Sequence, residues 1–248
     1  QPVLRDIKRI SAAVEELTYV NMGATAVGTG INADVEYVKN VVRILSEVTG
    51  FEFKQSPDLV DGTRNLDSFV WLSSALKTCA VNLSKTANDI RLMASGPKAG
   101  LAEILLPQQQ PGSSIMPGKV NPVIPEVLNQ VCFQIFGNDI TITKAAEAGQ
   151  LELNVFEPVL FFNLFQSIEI LKNGIITFIE NCLKGITAQE ENCKYWVDRS
   201  VGIITALNPH IGYKNAAEIA KESIKTGVPV AQIVLQRGLL SKEDLDVI

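Results

Sequence analysis

The chain has 248 residues, 46% of them hydrophobic and 20% charged, enough for one large or two modest globular domains with a sizeable core. Lys and Arg total 22 against 27 Asp and Glu, a net charge of -5 with no basic block, so neither nucleic acid nor an anionic membrane is an expected partner. The four cysteines, at 79, 132, 182 and 193, show no CxxC spacing and no neighbouring His, which speaks against a zinc site or a disulfide framework. Reduced, mostly buried thiols are expected, with no metal and no cofactor.

The chain opens Gln1-Pro2-Val3 with neither a methionine nor a signal-peptide pattern, which reads as excision from a longer polypeptide. Helical spacing predicts helices over residues 7–19 and 35–48, the second behind Asn32-Ala33-Asp34. Between them, Gly23-Ala-Thr-Ala-Val-Gly28-Thr29-Gly30 superficially resembles a phosphate loop, but Thr29 stands where the Lys belongs, and a flexible connection is the preferred reading. From 66 to 93, apolar residues recur at helical spacing without Gly or Pro, predicting one helix roughly 40 Å long and hence an extended bundle. The glycosylation sequon Asn82-Leu83-Ser84 falls inside that helix and is taken as chance.

A further helix is predicted after Asn121-Pro122, with Asn as cap, Pro in the first turn and a possible kink at Gly137-Asn138. Another covers 158–183; its most apolar part, 159–171, holds Asn163, Gln166 and Glu169, short of the roughly 18 uncharged apolar residues a membrane helix needs, so no bilayer span is expected. Beyond 189 the predicted helices are short and polar, at 189–197, 215–226, 230–237 and from Ser241. His210, the single histidine, is placed in a turn before a helix, with a surface or supporting role. No long apolar/polar alternation forces a strand. The fold class is therefore all-α: a central long-helix bundle over 1–188, with a loop at 110–122, and a small helical C-terminal domain over 189–248. Heavily apolar helix faces point to burial between subunits.

The informative stretch is Pro111-Gly112-Ser113-Ser114-Ile115-Met116-Pro117-Gly118-Lys119-Val120-Asn121-Pro122. A Gly- and Pro-rich loop between two strong helices has the make-up of an active-site lid. Two hydroxyls, an ammonium and an amide near the positive end of a helix dipole form a candidate receptor for carboxylates. An ordinary capped loop is the alternative.

Residues 112–122 resemble the signature loop GSSxMPxKxNP of the fumarase and aspartase superfamily. The resemblance extends through Gly23-Ala-Thr-Ala-Val-Gly-Thr-Gly-Ile-Asn32, Ala87-Asn-Asp-Ile-Arg91, Ser95-Gly-Pro-Lys98 and Leu207-Asn-Pro-His-Ile-Gly-Tyr213, all similar to the central and C-terminal domains of that superfamily. Pro122-Val-Ile-Pro-Glu-Val-Leu-Asn-Gln-Val-Cys132 and Asn154-Val-Phe-Glu-Pro158 resemble aspartate ammonia-lyases, whereas 207–213 and Ala216-Ala-Glu-Ile-Ala220 lean toward fumarases.

The resemblance to aspartate ammonia-lyases implies reversible deamination of L-aspartate to fumarate and ammonia, with fumarate hydration as the alternative and a non-catalytic helical oligomerisation module as a third reading. It assigns Ser113 and Glu126 to catalysis, the serine as base and the glutamate as the group orienting a histidine from another subunit; a plain helix N-terminal carboxylate is the other reading of Glu126. It assigns Ser114, Lys119, Val120 and Asn121 to substrate binding. It also implies a dicarboxylate substrate, a cytoplasmic homotetramer with sites shared between subunits, and further Thr, Ser, Asn and His groups that these 248 residues do not supply. The chain alone is accordingly expected to be inactive.

Overall fold

The computed structural model describes residues 1–110 and 119–248, and in it the predicted helical periodicities become helices. The helices are α1 (Pro2–Glu16), α2 (Val35–Thr49), α3 (Leu59–Arg64), α4 (Asp67–Met93), α5 (Val123–Glu147), α6 (Glu157–Phe178), α7 (Glu190–Arg199), α8 (Ile204–Ile211), α9 (Tyr213–Thr226), α10 (Val230–Gln236) and α11 (Lys242–Val247). Among the described residues four two-residue strands accompany them: β1 (Tyr19–Val20), β2 (Lys54–Gln55), β3 (Ile104–Leu105) and β4 (Thr187–Ala188). The architecture is all-α.

Helix α1 starts five residues ahead of the expected position because Pro2 occupies its first turn, where the missing N–H costs nothing. Asp34 caps α2 by accepting from the Glu36 and Tyr37 amides, and Gly50, at φ 75°, ends it in the left-handed conformation. Asp58 caps the short α3, which the sequence did not predict, in the same way. The loop before α2 is not slack. Gly30 N–H donates to Ala24 C=O at 2.8 Å, and Gly28, at φ +85°, lies so close to α3 that a Cβ there would fall 2.2 Å from Val60 Cα. This corrects the flexible-connection reading: the glycine serves a close approach between backbones.

Contacts divide the chain into two compact units, Gln1–Arg91 with Pro107–Gly185, and Leu92–Leu106 with Ile186–Ile248. The second unit thus takes in a segment from mid-chain that the 1–188 and 189–248 division puts in the bundle.

In the first unit the most extensive helix pairing is α5 with α6. Leu128, Ile135 and Ile142 of α5 are fully buried, as are Leu160 and Leu164 of α6, at spacings that keep each set on one helix face. Polar groups cross the same seam: Asn138 Nδ2 donates to Gln166 Oε1 at 2.9 Å and Ser167 Oγ at 3.0 Å. Helix α5 runs without a break through Gly137-Asn138, and the Asn138 side chain is engaged on this seam. Helix α4 is tied to α5 by buried Asp139, which accepts from Ser73 Oγ at 2.8 Å and Lys77 Nζ at 2.5 Å. It is tied to α1 by buried Asp6, which accepts from Asn82 Nδ2.

Helix α6 continues into a π-helical turn, Ile179–Leu183. The combined helix Glu157–Leu183 is long and apolar enough to cross a membrane by length and composition, with mean hydropathy 1.3 over an 18-residue window of which 28% is buried. The sequence reading missed this because it stopped at 171, whereas Ile175, Ile176 and Phe178 extend the apolar run. Core helices of bundles meet the same criterion, and Gln166 and Ser167 are engaged with α5. Phe133 and Ile140 on α5, with Phe162 and Phe165 on α6, remain well exposed.

The second unit is built on Leu207, Ile211, Ile219, Val230, Ile233 and Val234, drawn from α8, α9 and α10. Strand β3 pairs antiparallel with β4, Gln189 N–H donates to Glu103 C=O at 2.8 Å, and Trp196 Nε1 donates to Leu101 C=O at 2.7 Å. Ser241 and Asp244 cap α11 reciprocally. His210 lies in the last turn of α8 and not in a turn before a helix; Pro209 sits inside that helix, which ends at Gly212.

Candidate active site

Ser113 and Ser114, the two hydroxyls of the expected site, lie outside the described residues. The described part begins at Lys119 and Val120, both exposed, and runs through Asn121 into the first turn of α5. The expected cap is corrected. Helix α5 starts at Val123, one residue later than anticipated, so Pro122 takes the capping position, and no side chain caps the helix. Asn121 instead contributes its carbonyl, which accepts from the Val123 N–H at 2.9 Å.

This helix end is unusual in its donors. Pro122 and Pro125 have no N–H, Val123 donates to Asn121, and Glu126 donates to Pro122 C=O at 3.1 Å. Of residues 123–126, Ile124 alone has an N–H neither missing nor committed to Asn121 or Pro122.

Glu126 stands on the first turn with its side chain partly exposed, where the helix dipole favours a carboxylate. Facing it across the helix pair is Arg91, on the last turn of α4, with Nη2 3.8 Å from Glu126 Oε1. Arg91 Nη1 donates to Asn129 Oδ1 and to Asn88 Oδ1, each at 3.3 Å. Asn129, 3% exposed, donates from Nδ2 to Ser84 Oγ at 2.9 Å and to Ser84 C=O at 3.2 Å. With its NH2 so engaged, the oxygen of the Asn129 amide can only face Arg91. The structure thus joins Glu126 to three residues to which sequence reading gave no role: Arg91, Asn129 and Ser84. Asn129 offered a signal, being an amide at the helical spacing of buried Pro125, Leu128 and Cys132.

Behind this network, Cys79 of α4 and Cys132 of α5 are buried. Burial and then the nearby Asp6 carboxylate push the Cys79 thiol up to about 11; burial and then Cys79 push Cys132 to about 11, opposed by a hydrogen bond with the Ser84 backbone. Neither is placed to act as a nucleophile near neutral pH. Among the described residues no group of three His, Cys, Asp or Glu side chains converges to hold a metal ion.

The family model described as "Lyase" matches residues 1–137, more than half of the chain. The chain belongs to the lyase family. A second model, "Fumarase C C-terminus", matches residues 203–248 of this lyase chain. Aspartate ammonia-lyase of a Bacillus species is 58% identical over 244 residues, covering 98% of this chain and 52% of the relative. Among solved structures, a fumarate lyase:delta crystallin from Brucella melitensis, described as bound to cobalt, superposes with TM-score 0.94 at 45% identity, over 98% of this chain and 53% of that one. A class II fumarase from Schistosoma mansoni superposes with TM-score 0.89 at 33% identity, over 100% of this chain and 55% of that one. The chain spans about half the length of the relatives it matches.

Proposed function

We propose that this lyase chain is the part of an aspartate ammonia-lyase that carries the signature loop and the helix behind it. The observation that carries the reading is the 58% identity to an aspartate ammonia-lyase across 98% of the chain. The aspartase-like flanks at Pro125-Glu126-Val127 and Glu157-Pro158 agree with it. Fumarate hydration is the second reading, favoured by the C-terminal match over 203–248.

In the proposed reaction Ser113 takes the proton from the carbon beside the substrate's β-carboxylate. That carboxylate becomes a doubly charged aci-carboxylate; the electron pair then forms the double bond as the C–N bond breaks, releasing ammonia and leaving fumarate. A free serine is a very weak acid, so its alkoxide must be stabilised by nearby positive charge and N–H donors, for which Lys119 is the available cation. Donors concentrated on the carboxylate that gains charge lower the barrier most, the role given to Ser114. Lys119, Val120 and Asn121 bind the other carboxylate at the positive end of α5. Glu126 orients a histidine supplied by another subunit, in a homotetramer located in the cytoplasm, with the exposed apolar faces of α5 and α6 as the surfaces available for assembly.

The test follows fumarate by ultraviolet absorbance, using the full-length protein that contains this segment, with L-aspartate and L-malate side by side. Fumarate from aspartate alone is expected, with Ser113→Ala lowering kcat at least about a hundredfold. Fumarate from malate alone would transfer the reading to the hydratase. The 248-residue chain by itself is expected to give no more fumarate than its own Ser113→Ala variant.

A further inference from the structure

We infer that Arg91 is the positioning residue for Glu126, held in place by Asn129 and Ser84; this rests on the reading that Glu126 serves the lyase reaction. A glutamate at a helix end with its side chain partly in solvent samples several rotamers, and orienting another group requires one of them. Arg91 supplies the constraint from a different helix. Its guanidinium is planar, with donors in a fixed fork, and three acceptors meet it here: Asn88 Oδ1, Asn129 Oδ1 and the Glu126 carboxylate. The two amide oxygens, both on Nη1, set the plane of the fork and leave Nη2 directed at Glu126 Oε1.

The anchoring runs inward. Asn129 cannot rotate its amide without stranding an N–H from Ser84, and both residues are buried, where a stranded donor is costly. A chain of contacts, Ser84 to Asn129 to Arg91 to Glu126, therefore ties a candidate site group to the buried polar contacts between α4 and α5. Two independent features favour a positioning role over an incidental surface pair. The ion pair is long-range and joins two helices, unlike the (i, i+3) and (i, i+4) pairs that line exposed helix faces elsewhere. A buried amide is also given over to holding the arginine, which an exposed pair of little energetic value would not require.

The experiment uses the full-length protein and measures kcat, KM and Tm for Glu126→Gln, Arg91→Met, Arg91→Gln, Arg91→Lys and the double variant Arg91→Met with Glu126→Gln. Expected is a loss in kcat of roughly tenfold to a hundredfold in Arg91→Met, KM within about twofold, and no further loss in the double variant beyond Glu126→Gln alone. Arg91→Lys, which keeps the charge without the fork, should recover part of kcat. Should Arg91→Met fold poorly, Arg91→Gln retains a donor for Asn129 and is expected to fold with the same kcat defect. Full activity in Glu126→Gln would overturn the role of Glu126 and this inference with it. Impaired Glu126→Gln beside unimpaired Arg91 variants, or fully additive losses accompanied by a lowered Tm, would overturn the inference about Arg91 alone.

Discussion

The buried thiols show how position controls the chemistry of a residue. An ordinary cysteine ionises near 9.0, but burial holds Cys79 and Cys132 up to about 11, and it raises Cys182 as well. In the interval between those values the folded chain keeps protons that the unfolded chain gives up. Folding stability is therefore fully present below about pH 9 and declines as pH rises towards 11. Urea midpoints measured at pH 8 and pH 10 should fall with pH, and Cys132→Ala should lose part of that dependence. Equal midpoints at the two pH values would contradict the assignment. The residues of the candidate site were unevenly legible from sequence. Glu126, Lys119 and Asn121 stood out because a motif gathers them within a few positions. Arg91 and Asn129 lie 38 positions apart, and only the register of α4 against α5 makes them partners.

At the level of elements, the α5–α6 seam combines apolar burial with an enclosed amide. Asn138 accepts from Gln134 Nε2 at 2.8 Å while donating to Gln166 and Ser167, so removing it strands several groups at once. Asn138→Ala is expected to cost about 1–3 kcal/mol, read as a lower urea midpoint. A change within error would mean that solvent reaches the seam. The long helices were legible because buried positions such as Leu72, Leu76 and Cys79 repeat with the helical period in an uninterrupted run. Helix α8 was not, because Pro209 removes a helical N–H and reads as a stop; the structure accommodates it within an eight-residue helix that leads directly into α9. The start of α5 was misjudged by one residue for a related reason, since Pro122 suits either side of a helix boundary.

For the whole molecule, Phe133 and Ile140 on α5, seven residues apart on one face, and Phe162 and Phe165 on α6 leave large apolar side chains in water, where a contact between subunits would cover them. Under the assembly proposed above, Ile140→Glu should lower the sedimentation coefficient of the full-length protein while leaving helix content by circular dichroism unchanged. Wild-type sedimentation by this variant would exclude that face from the interface. The all-α class was readable from composition and period alone. The allegiance of Leu92–Leu106 to the second unit was not, because it depends on the β3–β4 pairing and on backbone carbonyls meeting Gln189 and Trp196, interactions that have no signature in side-chain pattern.

That arrangement has a kinetic corollary. Chains emerge from the ribosome in order, at roughly 5–20 residues per second, and units made of contiguous sequence can close as they appear. Here Leu92–Leu106 is made well before Ile186–Ile248, with the whole of α5 and α6 synthesised in between. Its carbonyls and its strand edge must wait for partners not yet made. Of the two units the second is thus the later to close, and a cut at residue 189 would sever a folding unit instead of freeing one.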